Sequence, residues 1–473
     1  MSRALALSLG TLPANLLQAL LLGILLPGCG GGCAGDPAGA DAGRRPNILL
    51  IYTDDQRFDS LSITGNPWIE TPNLDRIASE GVLFQRAYVT TSRCCPARVS
   101  MLTGKVAHVH GVWNNHPEHD FLLDHRTVAD VLQAAGYRTA WIGKWHLPNE
   151  GGGPVRGFDH WVSYEGPGSH FGQPLNVDGE TRATEGFQAD RLTDLALEFL
   201  ASERDVEQPF FLTLAFKNPH VPLTPAARHA GLLAERKIPL PASAADPPER
   251  LPLFYRRLAR ESRHSIDDPQ TFDREARAYW ELVLSIDDNV GRVLEALEAS
   301  GELQHTLVVA TTDNGQLMGE HGLQQKGLSY EPSIRVPLAM RLPGEIPAGT
   351  VTDRLALNVD LMPTLLELAG VSVPEDLQGT SLAPLWRDPA AAWRERFLYL
   401  APGFGQGAVV ERAVVEARWK YVHIDVEGQR EELLFDLHAD PDERENLARD
   451  PAHTAELERL REAMRAELER LGA

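Results

Sequence analysis

Positive charge is in short supply: 45 Lys and Arg against 66 Asp and Glu leave a formal net charge of −21 over 473 residues. A nucleic-acid partner needs a basic footprint, so the balance argues against that class. Any anionic ligand has to be drawn in by a local basic pocket, because the field of the whole protein repels it. Cysteine is scarcer still. The four are Cys29, Cys33, Cys94 and Cys95, and the folded body therefore holds one adjacent pair, which is a poor candidate for a bridge and has nothing else to pair with. A disulfide scaffold is excluded. The apolar stretch Leu16–Leu26, interrupted by Gln18, is too short to span a bilayer comfortably. There is no internal repeat and no long low-complexity tract. What remains is ordinary globular composition, 43% hydrophobic and 23% charged.

The N-terminus reads as an export signal over residues 1–28. Arg3 supplies a short basic region ahead of the apolar stretch, which closes on Leu26-Pro27-Gly28-Cys29. That tetrapeptide is similar to a bacterial lipobox, with Cys29 as the lipidated first residue; Pro27 is unusual there, and ordinary signal-peptide cleavage is the alternative. Residues 29–45, rich in Gly and Ala, read as a flexible tether. The expected location is periplasmic, or on the outer membrane or cell surface as a lipoprotein, and otherwise secreted. The membrane is met only through a lipid at Cys29. Two free thiols in the body of an exported protein then need a purpose.

The length predicts one large domain, residues 46–387, and a smaller one, residues 388–473. The larger part alternates strands and helices, which predicts an α/β fold with a mostly parallel central sheet sandwiched by helices. Four apolar runs behave as buried strands, and each runs into polar residues. Asn47–Tyr52 leads to Asp54 and Asp55, Arg138–Ile142 to Lys144 and His146, Phe210–Phe216 to Asn218 and His220, and Thr306–Ala310 to Asp313 and Asn314. In open α/β sheets the ligand crevice lies beyond the carboxyl ends of the strands. Four strand ends delivering such side chains to one edge predict a site. A helix is expected over Asp273–Ser300, with Leu282, Ile286, Val290, Val293 and Leu297 at helical spacing. The last part reads as a small α+β subdomain. Val409–Glu416 and Lys420–Asp425 are antiparallel strands, Leu433–Leu437 follows, and a terminal helix is capped by Thr454, with Leu457, Leu460, Met464, Leu468 and Leu471 facing a core.

One segment is more specific than any periodicity. Cys94-Cys95-Pro96-Ala97-Arg98-Val99-Ser100-Met101-Leu102-Thr103-Gly104-Lys105 resembles, without a gap, the signature of the sulfatase family: Cys-x-Pro-x-Arg followed by Leu-Thr-Gly. The resemblance extends over nearly all of residues 46–450, through Tyr52-Thr53-Asp54-Asp55-Gln56, Gly143-Lys144-Trp145-His146-Leu147, Pro219-His220, Thr312-Asp313-Asn314-Gly315 and Tyr330-Glu331-Pro332-Ser333-Ile334-Arg335-Val336-Pro337. It implies an alkaline-phosphatase-like fold, in keeping with the α/β sandwich read from the strands.

It also implies a chemistry. In that family the cysteine at the position of Cys94 is converted to formylglycine by a formylglycine-generating enzyme before folding. By resemblance, the hydrated aldehyde offers two hydroxyls, one to attack sulfur and one, deprotonated by His146, to expel sulfate. His220 and Lys326 are the candidates for protonating the departing alcohol, Arg98 and Lys144 hold the modified residue, and Lys144, His220 and Lys326 meet the substrate. The metal shell carried over is Asp54, Asp55, Asp313 and Asn314 together with the formylglycine oxygen at Cys94. The all-oxygen set of the first four suits Ca²⁺ or Mg²⁺. A sulfuryl transfer spreads charge over peripheral and leaving oxygens, so a metal and cations belong around it. His146 and His220 are of a type suited to proton transfer near neutrality. Lys326 has the expected spacing of four residues before Tyr330, although Gly327 stands where the family often has Arg. His321 is expected in a surface loop, with a place facing the pocket as the alternative. Of His108 and His110, one is expected on the substrate side and the other in a structural role.

Further stretches narrow the resemblance. The signature with the following Val109-His110-Gly111-Val112-Trp113-Asn114-Asn115, then Gly157-Phe158-Asp159-His160-Trp161 and Pro174-Leu175-Asn176-Val177-Asp178-Gly179, resemble glucosamine-6-sulfatases. A sulfated carbohydrate is then the expected substrate, with desulfation of glycans the expected activity. Two alternatives stay open: a phosphonate or phosphate ester hydrolase of the same superfamily, and a glycan-binding lipoprotein without turnover.

Overall fold

A computed structural model describes residues 44–116, 120–148, 152–205, 207–402, 409–426 and 428–473. The expected signal segment, Cys29, Cys33 and the tether up to Gly43 lie outside the described residues. No helix among the described residues is long and apolar enough to cross a membrane. Arg45–Ala473 clusters as one compact unit.

Ten strands make the main sheet. In chain order they are β1 (Asn47–Asp54), β2 (Val82–Phe84), β3 (Arg138–Gly143), β4 (His160–Ser163), β5 (Leu175–Val177), β6 (Glu180–Arg182), β7 (Phe210–Pro219), β8 (Thr306–Thr312), β9 (Leu338–Arg341) and β10 (Thr350–Thr352). Their spatial order is β10-β2-β9-β8-β1-β7-β3-β4-β5-β6. The centre is parallel: β1 pairs with β8 and β7, and β3 pairs with β7 and β4. Antiparallel pairs at β8–β9 and β4–β5 close this centre on either side. The four strands read from the sequence are the neighbours β8, β1, β7 and β3.

Alternation along β1 shows why the sheet is covered twice. Ile48, Leu50 and Tyr52 enter one core and Leu49 and Ile51 the other. On the first face lies α1 (Cys94–Thr103), which contributes Cys95, Val99, Met101 and Leu102. On the second lie α2 (Gln188–Ala201) and α3 (Pro269–Ala299), the latter through Leu282, Ile286, Val290, Val293 and Leu297, as its spacing requires.

The C-terminal part is a four-stranded antiparallel sheet, β11 (Arg396–Pro402), β12 (Val409–Glu416), β13 (Trp419–Val426) and β14 (Gln429–Asp436), followed by α4 (Thr454–Leu471). β11 has no counterpart in the sequence reading. The N-cap of α4 is His453; Thr454 is its first helical residue and bonds back to the Pro451 carbonyl. Leu457, Leu460 and Met464 pack on one face of this sheet. Its other face meets the loop ahead of Glu331 through buried charges. The Lys420 ammonium reaches the Ser329 carbonyl at 2.7 Å, Glu331 Oε1 at 2.8 Å and Glu443 Oε1 at 2.7 Å, while Glu411 accepts from Ser329 N at 2.7 Å. These contacts fix the loop that carries Lys326.

Candidate active site

The ends of β1, β3, β7 and β8 converge on the N-terminus of α1. At the end of β1 the register against β7 slips, so that Tyr52 faces Ala215 and Asp54 faces Pro219. Asp55 then turns to φ 64°, a conformation that a non-glycine residue adopts at a cost. At the end of β3, Gly143 has φ 122°, and a Cβ there would stand 1.9 Å from the Ala215 carbonyl oxygen; only glycine fits. The chain continues through Lys144 to His146, itself at φ 58°. Two strained residues at one edge mark where the fold gives way to the demands of a site.

Cys94 opens α1 and is fully buried. Arg93, at the N-cap, gives no side-chain cap; Asn115, twenty-one residues beyond Cys94, accepts from Cys95 N at 3.1 Å instead. Around the Cys94 thiol stand Asp54 Oδ1 at 3.6 Å and the Lys326 ammonium at 3.0 Å. Lys144 is ion-paired with Asp54, and Lys326 with Asp55. Arg98 donates from Nε to Asp313 Oδ2 at 3.0 Å and from Nη1 to the Lys144 carbonyl at 2.7 Å. Asp313 Oδ1 accepts from Asp55 N at 3.2 Å, Asn314 Nδ2 lies 2.6 Å from Asp55 Oδ1, and His220 Nε2 lies 3.7 Å from Asp55 Oδ2.

The electrostatics follow from this crowding. Burial opposes ionisation of the Cys94 thiol, yet Lys326, with Lys144 and a hydrogen bond from His220, brings it down to about 7. Burial likewise opposes charge on Asp54, but Lys144, His220, Lys326 and Arg98 hold its carboxyl well below the usual range. Asp313 goes the other way: burial, then Asp54 and Cys94, push it well up. Burial and the neighbouring Lys144 drive His146 down to about 2, whereas His220, despite its burial, is raised by Asp54 and Asp55.

Every predicted site residue thus belongs to one neighbourhood. Ligand atoms of Asp54, Asp55, Cys94 and His220 lie within 4.8 Å of one another, so His220 joins a group from which the sequence reading had omitted it. Asp313 instead turns a carboxylate oxygen to Arg98. The donors fit a hard cation. Asn314 Oδ1 is buried without a partner. The amide nitrogen donates to Asp55 Oδ1 and to the Gly315 carbonyl at 2.9 Å, so the oxygen is the atom of Asn314 left for a cation.

Three histidines stay outside. His108 Nε2 meets the Leu471 carbonyl at 2.8 Å, so it ties α1's neighbourhood to α4. His110 is buried, 3.0 Å from Ser100 Oγ, and accepts from Val112 N, a structural role. His321, expected at the surface, is 7% exposed and stacks on Tyr330 with ring centroids 4.1 Å apart. The sequence reading also missed residues the structure brings in. Ser92 Oγ lies 2.9 Å from Ser333 Oγ and 2.7 Å from Tyr399 Oη, and accepts from Gly327 N, joining the Cys94 turn, the Lys326 loop and β11. Lys217, buried on β7, stands beside His220, and burial pushes its ammonium down to about 8. A lysine inside an apolar strand was the available signal.

A parallel sheet whose carboxyl edge gathers carboxylates, cations and a buried nucleophile position defines an ester hydrolase of the alkaline-phosphatase-like class. Comparison with known proteins gives the family. Residues 46–371 match the sulfatase model, and residues 319–471 match that of the N-sulphoglucosamine sulphohydrolase C-terminal region. The chain belongs to the sulfatase family and is a sulfuric ester hydrolase. It is 32% identical to an N-acetylglucosamine-6-O-sulfatase of Bacteroides thetaiotaomicron, over 85% of this chain and 83% of that protein. It is 31% identical to the human N-acetylglucosamine-6-sulfatase, over 91% and 85% respectively. A solved structure of a protein in complex with its substrate, D-glucosamine-2-N,6-O-disulfate, superposes with a TM-score of 0.82 at 30% identity, covering 91% of this chain and 98% of that one.

Proposed function

We propose that the protein removes 6-O-sulfate from glucosamine-type sugars, with formylglycine at position 94 and one Ca²⁺ or Mg²⁺. The observation that carries the reading is the asymmetry of the site. Cys94, Asp54, Arg98 and Lys144 are fully buried, whereas the side chains of His220 and Lys326 keep 17% and 13% of their exposure. A sulfate ester therefore enters with its sulfuryl group among the buried cations and its alcohol toward His220 and Lys326. The names of the similar proteins support glucosamine 6-sulfate as the ester.

The formylglycine supplies a hydroxyl nucleophile and the metal a Lewis acid; the remaining work belongs to side chains. Lys144, Arg98 and Lys326 neutralise the peripheral oxygens, and their burial makes each contact stronger than in water. Lys326 is ion-paired with Asp55 and stands against Cys94, and the role of handing a proton to the alcohol oxygen is assigned to His220. His146 accepts a proton in the later half of the cycle. Export through the segment 1–28, with a lipid at Cys29, completes the proposal.

A substrate panel tests it. N-acetylglucosamine 6-sulfate is expected to exceed 3-O-sulfated glucosamine and 2-O-sulfated uronic acid by about 100-fold in kcat/KM, because a site built for one ester position leaves polar groups unpaired with another. Matched aryl sulfate and aryl phosphate separate the superfamily's chemistries; a preference for phosphate or phosphonate overturns the reading.

The two histidines are expected to differ in kind. His220→Ala costs about 10²-fold or more with sugar sulfates, whose alcohols need a proton, and little with an activated aryl sulfate. His146→Ala gives a burst of about one alcohol per enzyme and then slow turnover, even with the aryl ester, because its contribution falls after the alcohol has left. Equal losses across leaving groups in His220→Ala remove it from the acid role in favour of Lys326.

A further inference from the structure

Lys217 is 1% exposed on β7, three residues before His220. Burying an ammonium is expensive unless it is paired. Its hydrogen-bond acceptor among the described residues is nonetheless the Val221 carbonyl, at 2.8 Å, with His220 Nδ1 standing 3.4 Å away; no carboxylate hydrogen-bonds it. His220 Nδ1 in turn lies 2.7 Å from the same Val221 carbonyl. A carbonyl only accepts, so at that distance Nδ1 carries the proton and Nε2 is the atom presented toward Asp55 and Cys94. The carbonyl therefore sets both the proton pattern and the direction of the ring.

That carbonyl belongs to an exposed residue. Val221 is 46% exposed, although it is apolar, so packing of its side chain does little to hold the peptide in place. The backbone of the turn is held elsewhere: His220 N donates to the Lys217 carbonyl at 3.0 Å, and His170 Nε2 lies 2.8 Å from the His220 carbonyl. The Val221 carbonyl itself accepts from the Lys217 ammonium and from His220 Nδ1.

We propose that Lys217 is a positioning residue for His220: its ammonium anchors the Val221 carbonyl, which orients the imidazole so that Nε2 faces the leaving alcohol. The inference rests on the reading of His220 as the acid. Lys217 does not touch the substrate, and its effect reaches the reaction only through the imidazole.

The test compares kcat/KM for N-acetylglucosamine 6-sulfate and for 4-nitrophenyl sulfate on the same preparation. The ratio of the two is independent of the folded fraction, so a destabilised variant still reports. Lys217→Met is expected to lower the sugar value by about 30-fold and the aryl value by about threefold, a tenfold change in ratio in the direction of His220→Ala. Lys217→Gln, a milder variant, moves the ratio the same way by less. In the His220→Ala background, Lys217→Met changes the ratio no further, since residues acting through one group are not additive. If His220→Ala shifts the ratio and Lys217→Met does not, the lysine is structural and the inference is overturned while the acid reading stands. If the lysine's shift persists without His220, it acts by another route, and the inference is equally overturned. If His220→Ala leaves the ratio unchanged, the acid reading itself has failed.

Discussion

Cys94→Ala is expected to fold as the parent does and to lose turnover by about 10⁴-fold or more. The thiol is small, and its loss removes contacts to Asp54 and Lys326 rather than to the apolar core, so the cavity term costs about 1 kcal/mol. What is lost is the nucleophile position itself, which no neighbour replaces. Cys95 lies one residue away but points elsewhere: its thiol meets the His146 carbonyl at 2.7 Å, and burial, reinforced by Cys94, pushes it far up. Cys95→Ala is therefore expected to keep most of the activity. Peptide mass spectrometry across Ser92–Arg98 is the decisive measurement, with an aldehyde expected at Cys94 and a thiol at Cys95. Full activity in a preparation whose Cys94 is unmodified would sink the proposed chemistry.

Asp54→Asn is expected to strip the divalent ion and reduce turnover by about 10³-fold in the same step. The site balances three carboxylates, Asp54, Asp55 and Asp313, against three cations, Lys144, Lys326 and Arg98. Taking one negative charge away leaves a surplus of positive charge where a cation has to bind, and the penalty is large in a buried setting. Metal content by inductively coupled plasma mass spectrometry is expected to fall from about one ion per chain to a small fraction of that. Asparagine keeps the shape of the side chain, so circular dichroism is expected to match the parent. A variant that keeps its ion and loses activity, or loses its ion and stays active, contradicts the assignment.

How much of this was legible beforehand depended on the physical range of each signal. The strands β1, β3, β7 and β8 announced themselves because strands buried on both faces are continuous apolar runs with polar ends. β11 has the same character: Phe397, Tyr399 and Ala401 enter one core and Leu398 and Leu400 another. Its run ends at Pro402 rather than in ionisable residues, so no strand-end signal marked it, and the partners that bury it come from β12 and α4. The gathering of Asp54, Lys144, His220 and Asp313 at one edge was visible because sheet topology brings strand ends together. Pairings between distant residues were not. Nothing in the sequence ties Arg98 to Asp313, or Tyr399 to Ser92 across about 300 residues. His321 was misjudged for the same reason, since the ring that shelters it, Tyr330, belongs to a different turn.

The complete enclosure of Cys94 bears on the protein's history as well as its chemistry. A thiol behind Lys326, Asp54 and the Ser92 network is out of reach of another enzyme's active site once the sheet has closed. On the proposed reading, each newly made chain has one interval in which position 94 can be oxidised, and folding ends it. The fraction of aldehyde in a purified sample is then a record of two competing rates, folding and oxidation, at the moment of synthesis. Slowing folding by lower growth temperature, or raising the supply of the maturation enzyme, would raise that fraction in new chains, while treating the finished protein would leave it where it was set.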